Sequence, residues 1–257
     1  MAETLLGLDE PNPVNLENEA GRSVFFLTCD HSGRVIPRSL DRLGLPEDET
    51  QRHIAWDIGI GGVGRCLSQL LDAPVVLQTY SRLVIDCNRD PKVPSSIPEI
   101  SETTEIPGNL GLTEAARTAR VNAIFRPYHD RIAAALDRRA AAGRASVLVA
   151  LHSFTPVFKG VSRPWHAAVL YNRDARLAHP LFELLSAEDG LVVADNEPYR
   201  VTDLTDYTVP VHGERRGLPH VEIEIRQDQI AEPAGQNAWA ERLARLLPAA
   251  YSEFLRR

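Results

Sequence analysis

The chain has 257 residues, enough to bury a full core as one large α/β domain rather than two small ones. Hydrophobic residues make up 44% and charged residues 25%, as in soluble globular proteins, and a net charge of −7 argues against a nucleic-acid partner, which calls for a basic face. No apolar stretch approaches the roughly 20 residues of a membrane-spanning helix, so no membrane partner is expected; the acidic, proline-containing start lacks the pattern of a signal peptide, which makes a cytoplasmic location the default.

Residues 1–21 read as an extended lead-in to one domain spanning 1–257. Residues 24–30 are the first strand candidate, a short apolar run that ends at Asp30-His31. A turn or short helix is expected at 37–45, a helix at 57–71 despite its glycines, and strands at 74–80 and 83–86. The stretch 90–112 holds Pro91, Pro94, Pro98, Pro107, Gly108 and Gly111. It reads as a long loop beside the motifs, and a lid and a plain surface excursion both fit it. Residues 113–142 form the clearest helix, capped by Thr113, ended by Gly143 and kinked or split at Pro127. Strands follow at 146–151, which leads into His152, and at 167–171 and 191–194. A helix is expected at 177–186, a strand at 220–228 and a terminal helix from about 237 to 255. This alternation predicts a three-layer α/β/α sandwich around a mixed, mainly parallel sheet. Cys29, Cys66 and Cys87 lie in or beside apolar segments without a C-x-x-C pair, so buried free thiols are expected.

Open α/β sheets bind ligands at the carboxyl ends of strands, where His31 and His152 are expected to stand. Paired imidazoles most often hold a divalent metal. A catalytic zinc site commonly keeps three protein ligands, and Asp57, the only acid in the apolar and glycine-rich stretch 53–59, is the choice for the third. Its competing role is a helix cap. Arg82 and Arg89 bracket the 83–86 run, with Asn88 beside the second. That set suits a substrate carboxylate or carbonyl, and the plainer reading is an edge strand with Asp86–Arg salt bridges. In the 220–228 strand, alternation puts Glu222, Glu224 and Arg226 on one face and Val221, Ile223 and Ile225 on the other. Such a charged face is solvated or points into a site, where a carboxylate can move the protons of amide hydrolysis.

The G-x-G-x-x-G match at Gly59 to Gly64 lacks a strong strand before it, and close helix–sheet packing explains it better than a dinucleotide site. No G-x-S-x-G or H-E-x-x-H motif occurs. His129 on the kinked helix, and His212 with Arg215 or Arg216, are candidate substrate contacts. His53, His166, His179 and His220 read as structural or surface residues.

Taken in order, Asp30-His31-Ser32-Gly33, Trp56-Asp57-Ile58-Gly59, the Ser81 to Arg89 segment, Pro127-Tyr128-His129, Leu151-His152-Ser153-Phe154 and Ile223-Glu224-Ile225-Arg226-Gln227 resemble the N-formylglutamate amidohydrolase family. The resemblance covers nearly the whole chain after the lead-in. It implies a phosphorylase/hydrolase-like fold akin to zinc carboxypeptidases and aspartoacylase-like deacylases. It also implies His31 and His152 as first and last zinc ligands, Asn88-Arg89 as the substrate grip with Arg82 beside it, and Glu224 as general base. Arg34 stands where those relatives place a glutamate ligand, so Asp57 is assigned in its stead. The activity so implied is zinc-dependent hydrolysis of a small anionic N-acyl amino acid, N-formyl-L-glutamate foremost, by a monomer or small homo-oligomer; another divalent metal is also compatible. Arg82 or Arg89 would stabilise the oxyanion. A peptidase or amidase acting on a larger peptide or cell-wall fragment, and a non-catalytic anion-binding protein, are the other readings.

Overall fold

The chain is described over residues 5–256 in a computed structural model. Inside the expected lead-in, β1 (Val14–Glu17) pairs antiparallel with a later strand. β2 (Phe25–Cys29) is wholly buried. α1 (Ile60–Leu71) follows, then β3 (Val75–Gln78). The 90–112 stretch contains a small hairpin, β4 (Ile100–Ser101) with β5 (Thr104–Glu105). Next come α2 (Glu114–Arg120) and α3 (Arg126–Ala141), joined through one π-helical stretch. β6 (Val147–Phe154) leads into a second hairpin, β7 (Val157–Phe158) and β8 (Val161–Ser162). β9 (Ala167–Leu170), α4 (Ala178–Ser186), β10 (Val193–Asp195), β11 (His220–Arg226) and α5 (Pro233–Arg256) complete the order.

Seven strands form one sheet in the order β1-β3-β2-β6-β11-β9-β10. β3, β2, β6 and β11 run parallel, and β10 is parallel to β9. β1 and β9 lie antiparallel to β3 and β11. The result is the expected mixed, mainly parallel sheet. Strand periodicity divides the core between its faces. Phe25, Leu27, Val149, Leu151, Val221 and Ile223 pack with α1, α4 and α5, whereas Phe26, Val76 and Leu148 pack with Ile124, Tyr128, Ile132 and Leu136 of the 121–141 helical region.

Two sequence expectations are corrected. The 83–86 run is not a strand: Ser81 Oγ accepts from the Leu83 amide (3.1 Å) and Asp86 Oδ1 from the Asn88 amide (2.8 Å), winding it into turns. Its carbonyls are met by side chains, Asn109 on Leu83 (2.9 Å) and Arg120 on Val84 (3.0 Å), which lets an irregular segment stay buried. Arg82 and Arg89 therefore bracket a loop. Secondly, β6 runs three residues past Leu151, so His152 lies within the strand rather than after it. The 113–142 helix is interrupted beside Pro127 as expected: a π-helical stretch over Val121–Phe125 separates α2 from α3, and Pro127 sits in the first turn of α3, where its missing amide is tolerated. Thr113 caps α2 as expected, accepting from the Ala116 amide at 3.2 Å. The glycine cluster is explained by close packing: a Cβ on Gly64 would stand 2.7 Å from Cys29 Sγ, holding α1 tight on the sheet. No helix among the described residues is long and apolar enough to cross a membrane, and Cys29, Cys66 and Cys87 are free thiols, with Cys66 only half-buried.

Candidate active site

Because β2, β6 and β11 are parallel neighbours, their carboxyl ends share one edge of the sheet. His31 follows β2 closely. In β6 and β11 the register sets His152 beside Glu224 and Ala150 beside Glu222. Asp57 arrives on the turn before α1, its amide bonded to the His31 carbonyl (2.9 Å) and its Oδ2 accepting from the Ser153 amide (3.1 Å). Its side chain does not cap α1, whose N-cap is Gly59, so the capping alternative falls. One ligand atom each from His31, Asp57 and His152 lies within 4.8 Å of the others, and all three residues are buried.

The outer faces of both imidazoles meet carboxylates. His31 Nε2 lies 2.7 Å from Asp86 Oδ1, and its inner Nδ1, 3.4 Å from Asp57 Oδ2, is buried without a hydrogen-bond partner. His152 Nδ1 lies 3.1 Å from Asp57 Oδ2, and its Nε2 faces Asp30 Oδ2 at 3.4 Å. The Tyr128 hydroxyl donates to Asp30 Oδ1 at 2.6 Å. Arg82 spans Asp57 (3.3 Å) and Asp86 (2.7 Å). Burial opposes ionisation of Asp57, yet His31, His152 and Arg82 hold its carboxyl well below the usual range. Asp30 is likewise held down at about 2, against burial, by His152, His31 and Tyr128. Burial and Arg82 depress His31, but Asp86 and Asp57 overcome both and its pKa rises; burial depresses His152, and Glu222, Asp30 and Asp57 raise it well above normal. The carboxylates of Asp30, Asp57 and Asp86 exceed the Arg82 guanidinium by two negative charges, which is why both imidazoles bind a proton more readily than usual. A divalent cation matches that charge, and the donor set of two nitrogens and one carboxylate suits zinc. Imidazoles whose outer nitrogens face carboxylates are the arrangement that orients histidine ligands.

Two cavities of about 190 and 230 Å³ open on this centre. Glu222 and Glu224 line the larger with His31 and His152. Both are buried, and Val221, Ile223 and Ile225 occupy the opposite face, as alternation predicted. Burial pushes the Glu224 carboxyl up to about 7 against the pull of His152, Arg82 and His31, and raises Glu222 well above normal. The smaller cavity is lined by Asp57, His53, Phe154 and Phe158 and by Ser95, Pro98, Ser101 and Glu102 of the 90–112 stretch. Arg82 and Arg89 border both. Arg89 keeps loose contacts, 3.4 Å to the Asn88 carbonyl and 3.7 Å to Asp206.

Asn88 borders the larger cavity, but its amide is occupied: Nδ2 donates to Asp206 Oδ1 (3.1 Å), and Oδ1 accepts from the Tyr207 and Thr208 amides (2.9 and 3.0 Å). His129, His212 and Arg215 are not brought to this cleft. His129 Nε2 donates to the Cys87 carbonyl (2.7 Å), leaving Nδ1 to accept from His212 Nε2 (3.0 Å). His129 and Arg215 border a separate groove behind the 203–211 segment. Sequence reasoning missed Asp30, Asp86 and Tyr199 as site residues. Asp30 and Asp86 stand inside the motifs that carry His31 and Asn88-Arg89, a usable signal; Tyr199 lies in an unpatterned loop and has none.

Residues 23–231 match the model of the family described as N-formylglutamate amidohydrolase. Among solved structures, the chain is similar to gene product Atu2144 from Agrobacterium tumefaciens, with 40% identity and a TM-score of 0.93 over 96% of this chain and 98% of that one. It shares its fold with an N-formylglutamate amidohydrolase from Ralstonia eutropha JMP134, with 20% identity and a TM-score of 0.64 over 94% and 98% of the two chains. No curated protein matches it.

Proposed function

The chain belongs to the N-formylglutamate amidohydrolase family, and from that premise we propose that it hydrolyses the amide bond of a small anionic N-acyl amino acid with the help of a divalent metal. N-formyl-L-glutamate is the first substrate to assay. The observation that carries this reading is the convergence of His31, Asp57 and His152 in a cleft that also holds Glu224. These three residues would hold zinc or a similar cation. Such a cation supplies positive charge that polarises a carbonyl and acidifies water.

Glu224 is the proposed general base. A carboxyl near 7 is matched to water that a cation would acidify to a similar value, so it can take that proton and return it to the departing nitrogen. Arg89, with uncommitted donors at the border of both cavities, is the group best placed to hold a substrate carboxylate. Arg82 is pinned by two carboxylates, which suits it to keeping Asp57 and Asp86 ionised rather than to gripping substrate. Asn88 serves the site by fixing the loop that carries Arg89. The cleft is small, and Ser95, Pro98, Ser101 and Glu102 wall one side of it, which favours a small substrate over a peptide or cell-wall fragment.

Metal analysis of the purified protein, followed by a screen of N-formyl, N-acetyl and N-succinyl amino acids, tests the reading. Chelation should abolish hydrolysis and zinc should restore it. Glu224→Gln should load metal normally and lose at least about 100-fold in kcat. Full activity in that variant removes Glu224 as the base, and activity indifferent to chelators removes the metal.

A further inference from the structure

Among the described residues, four border both cavities: Arg82, Arg89, Ser153 and Tyr199. A substrate with one half in each cavity places its amide at this border. A donor to the amide oxygen there needs an uncommitted N–H or O–H. Arg82 spends two of its five N–H donors on Asp57 and Asp86, which fixes its guanidinium against those carboxylates and shares its charge with them. The Ser153 hydroxyl donates to the Ile58 carbonyl (3.0 Å) and its amide to Asp57. Arg89 is needed for the substrate carboxylate.

Tyr199 differs in how it is held. Arg163 donates to the Tyr199 hydroxyl oxygen at 2.8 Å, so that oxygen accepts and its own proton is left to donate elsewhere. The same guanidinium lies 4.8 Å from the Tyr199 ring centroid and 4.6 Å from that of Phe158. Arg163 is buried and held by ring faces rather than by a carboxylate. The clamp fixes both the plane of the phenol and one lone pair of its oxygen, while the outer part of the ring reaches solvent at the rim (Tyr199 is 40% exposed). Burial, and after it the Glu224 charge, raise the phenol above its usual range, so it remains a donor through neutral pH.

We propose that Tyr199 is a catalytic residue, donating a hydrogen bond to the substrate's amide oxygen as negative charge gathers on it, and that Arg163 is the positioning residue that aims it. The inference rests on the amide-hydrolysis reading. Tyr199 keeps its proton throughout: water adds to the carbonyl carbon, the C–N bond breaks, and the nitrogen leaves with the proton that Glu224 carries.

Steady-state kinetics on N-formyl- and N-acetyl-L-glutamate, with the metal-loaded wild type, Tyr199→Phe, Arg163→Leu and the double variant, provide the test. Tyr199→Phe should lower kcat by on the order of 100-fold, the size of losing one oxyanion donor, with KM nearly unchanged. Its unfolding temperature, metal content and calorimetric affinity for L-glutamate should match the wild type. Arg163→Leu should also lower kcat, and should cost nothing more once Tyr199 is Phe. Arg163→Lys keeps the charge but not the planar fork, and should show the same non-additivity if leucine unfolds the hairpin. Wild-type kcat in Tyr199→Phe, or a loss carried wholly by KM, overturns the catalytic role. An additive loss at Arg163 overturns the positioning role. A wild type that hydrolyses no acyl amino acid with any divalent metal overturns the amide reading itself, and the role of Tyr199 with it.

Discussion

His31 and His152 each place one nitrogen toward Asp57 and the other toward a second carboxylate, Asp86 or Asp30. If they are ligands, Asp86 acts through His31 by accepting from Nε2–H and leaving the Nδ1 lone pair free for a metal. Asp86→Asn should then weaken metal affinity about 10–100-fold, the usual cost of losing a carboxylate behind a histidine ligand, while leaving the ligands in place. Competition with a chromophoric chelator reads this directly, and unchanged affinity would show that Asp86 only neutralises Arg82. His31, His152, Asp57 and Glu224 were legible in the sequence because each stands out against apolar neighbours at a strand end or on an alternating face. Asp30 and Asp86 were harder to assign, since a carboxylate touching a histidine from behind has no spacing signature of its own. Tyr199 is invisible at that level: only the cavity border and the Arg163 clamp single it out.

At the scale of elements, buried parallel strands read well because their apolar runs are short and β-branched, and β2, β3 and β6 sit close to where they were expected. The same rule misread the 83–86 run. Leu83, Val84 and Ile85 are as buried as any strand, but Ser81 and Asp86 supply side-chain acceptors that compete for the backbone amides. Periodicity cannot separate a buried loop from a buried strand when the competing bonds come from its own ends. Asn88 ties this loop to the 206–208 segment through three hydrogen bonds, and Arg89 adds only a longer contact to Asp206 (3.7 Å). Asn88→Ala leaves two amides without their acceptor, one of them on the buried Thr208, and should cost roughly 2–3 kcal/mol in stability. Urea unfolding measures that loss. Limited proteolysis should show the 196–206 segment cut sooner, with the affinity for added zinc unchanged. A variant as stable as the wild type would return Asn88 to the role of a substrate contact.

For the whole molecule, the sheet order explains how residues 72 to 193 positions apart meet: β6 lies between β2 and β11, so His31, His152 and Glu224 reach one edge of the sheet. Behind that edge, α3 and the 209–213 turn bury a second histidine pair, whose cost falls on folding. Burial lowers His129 to about 4. Burial, His129 and Arg216 lower His212 to about 3. The pair is packed among Phe125, Tyr128 and Tyr207, with Asp30 and Asp130 acting in the opposite direction on His129 and Asp30 alone on His212. Both folded values lie below the unfolded value of about 6.5, so the unfolded chain binds more protons in acid. Stability should therefore be complete above about pH 6.5 and fall as pH drops toward 4, by roughly 3 kcal/mol for His129 alone. Protonating His129 also breaks the bond in which its Nδ1 must accept, because both facing nitrogens then carry a proton. His212→Gln keeps an amide donor for that bond and removes one titrating group, so its urea midpoint should vary less between pH 7.5 and 5 than that of the wild type. The active-site carboxylates impose their own acid sensitivity in both proteins, and it cancels in the comparison. Equal pH slopes would mean that His212 titrates in the folded chain as it does in the unfolded one, and that the buried pair is not what limits this fold in acid.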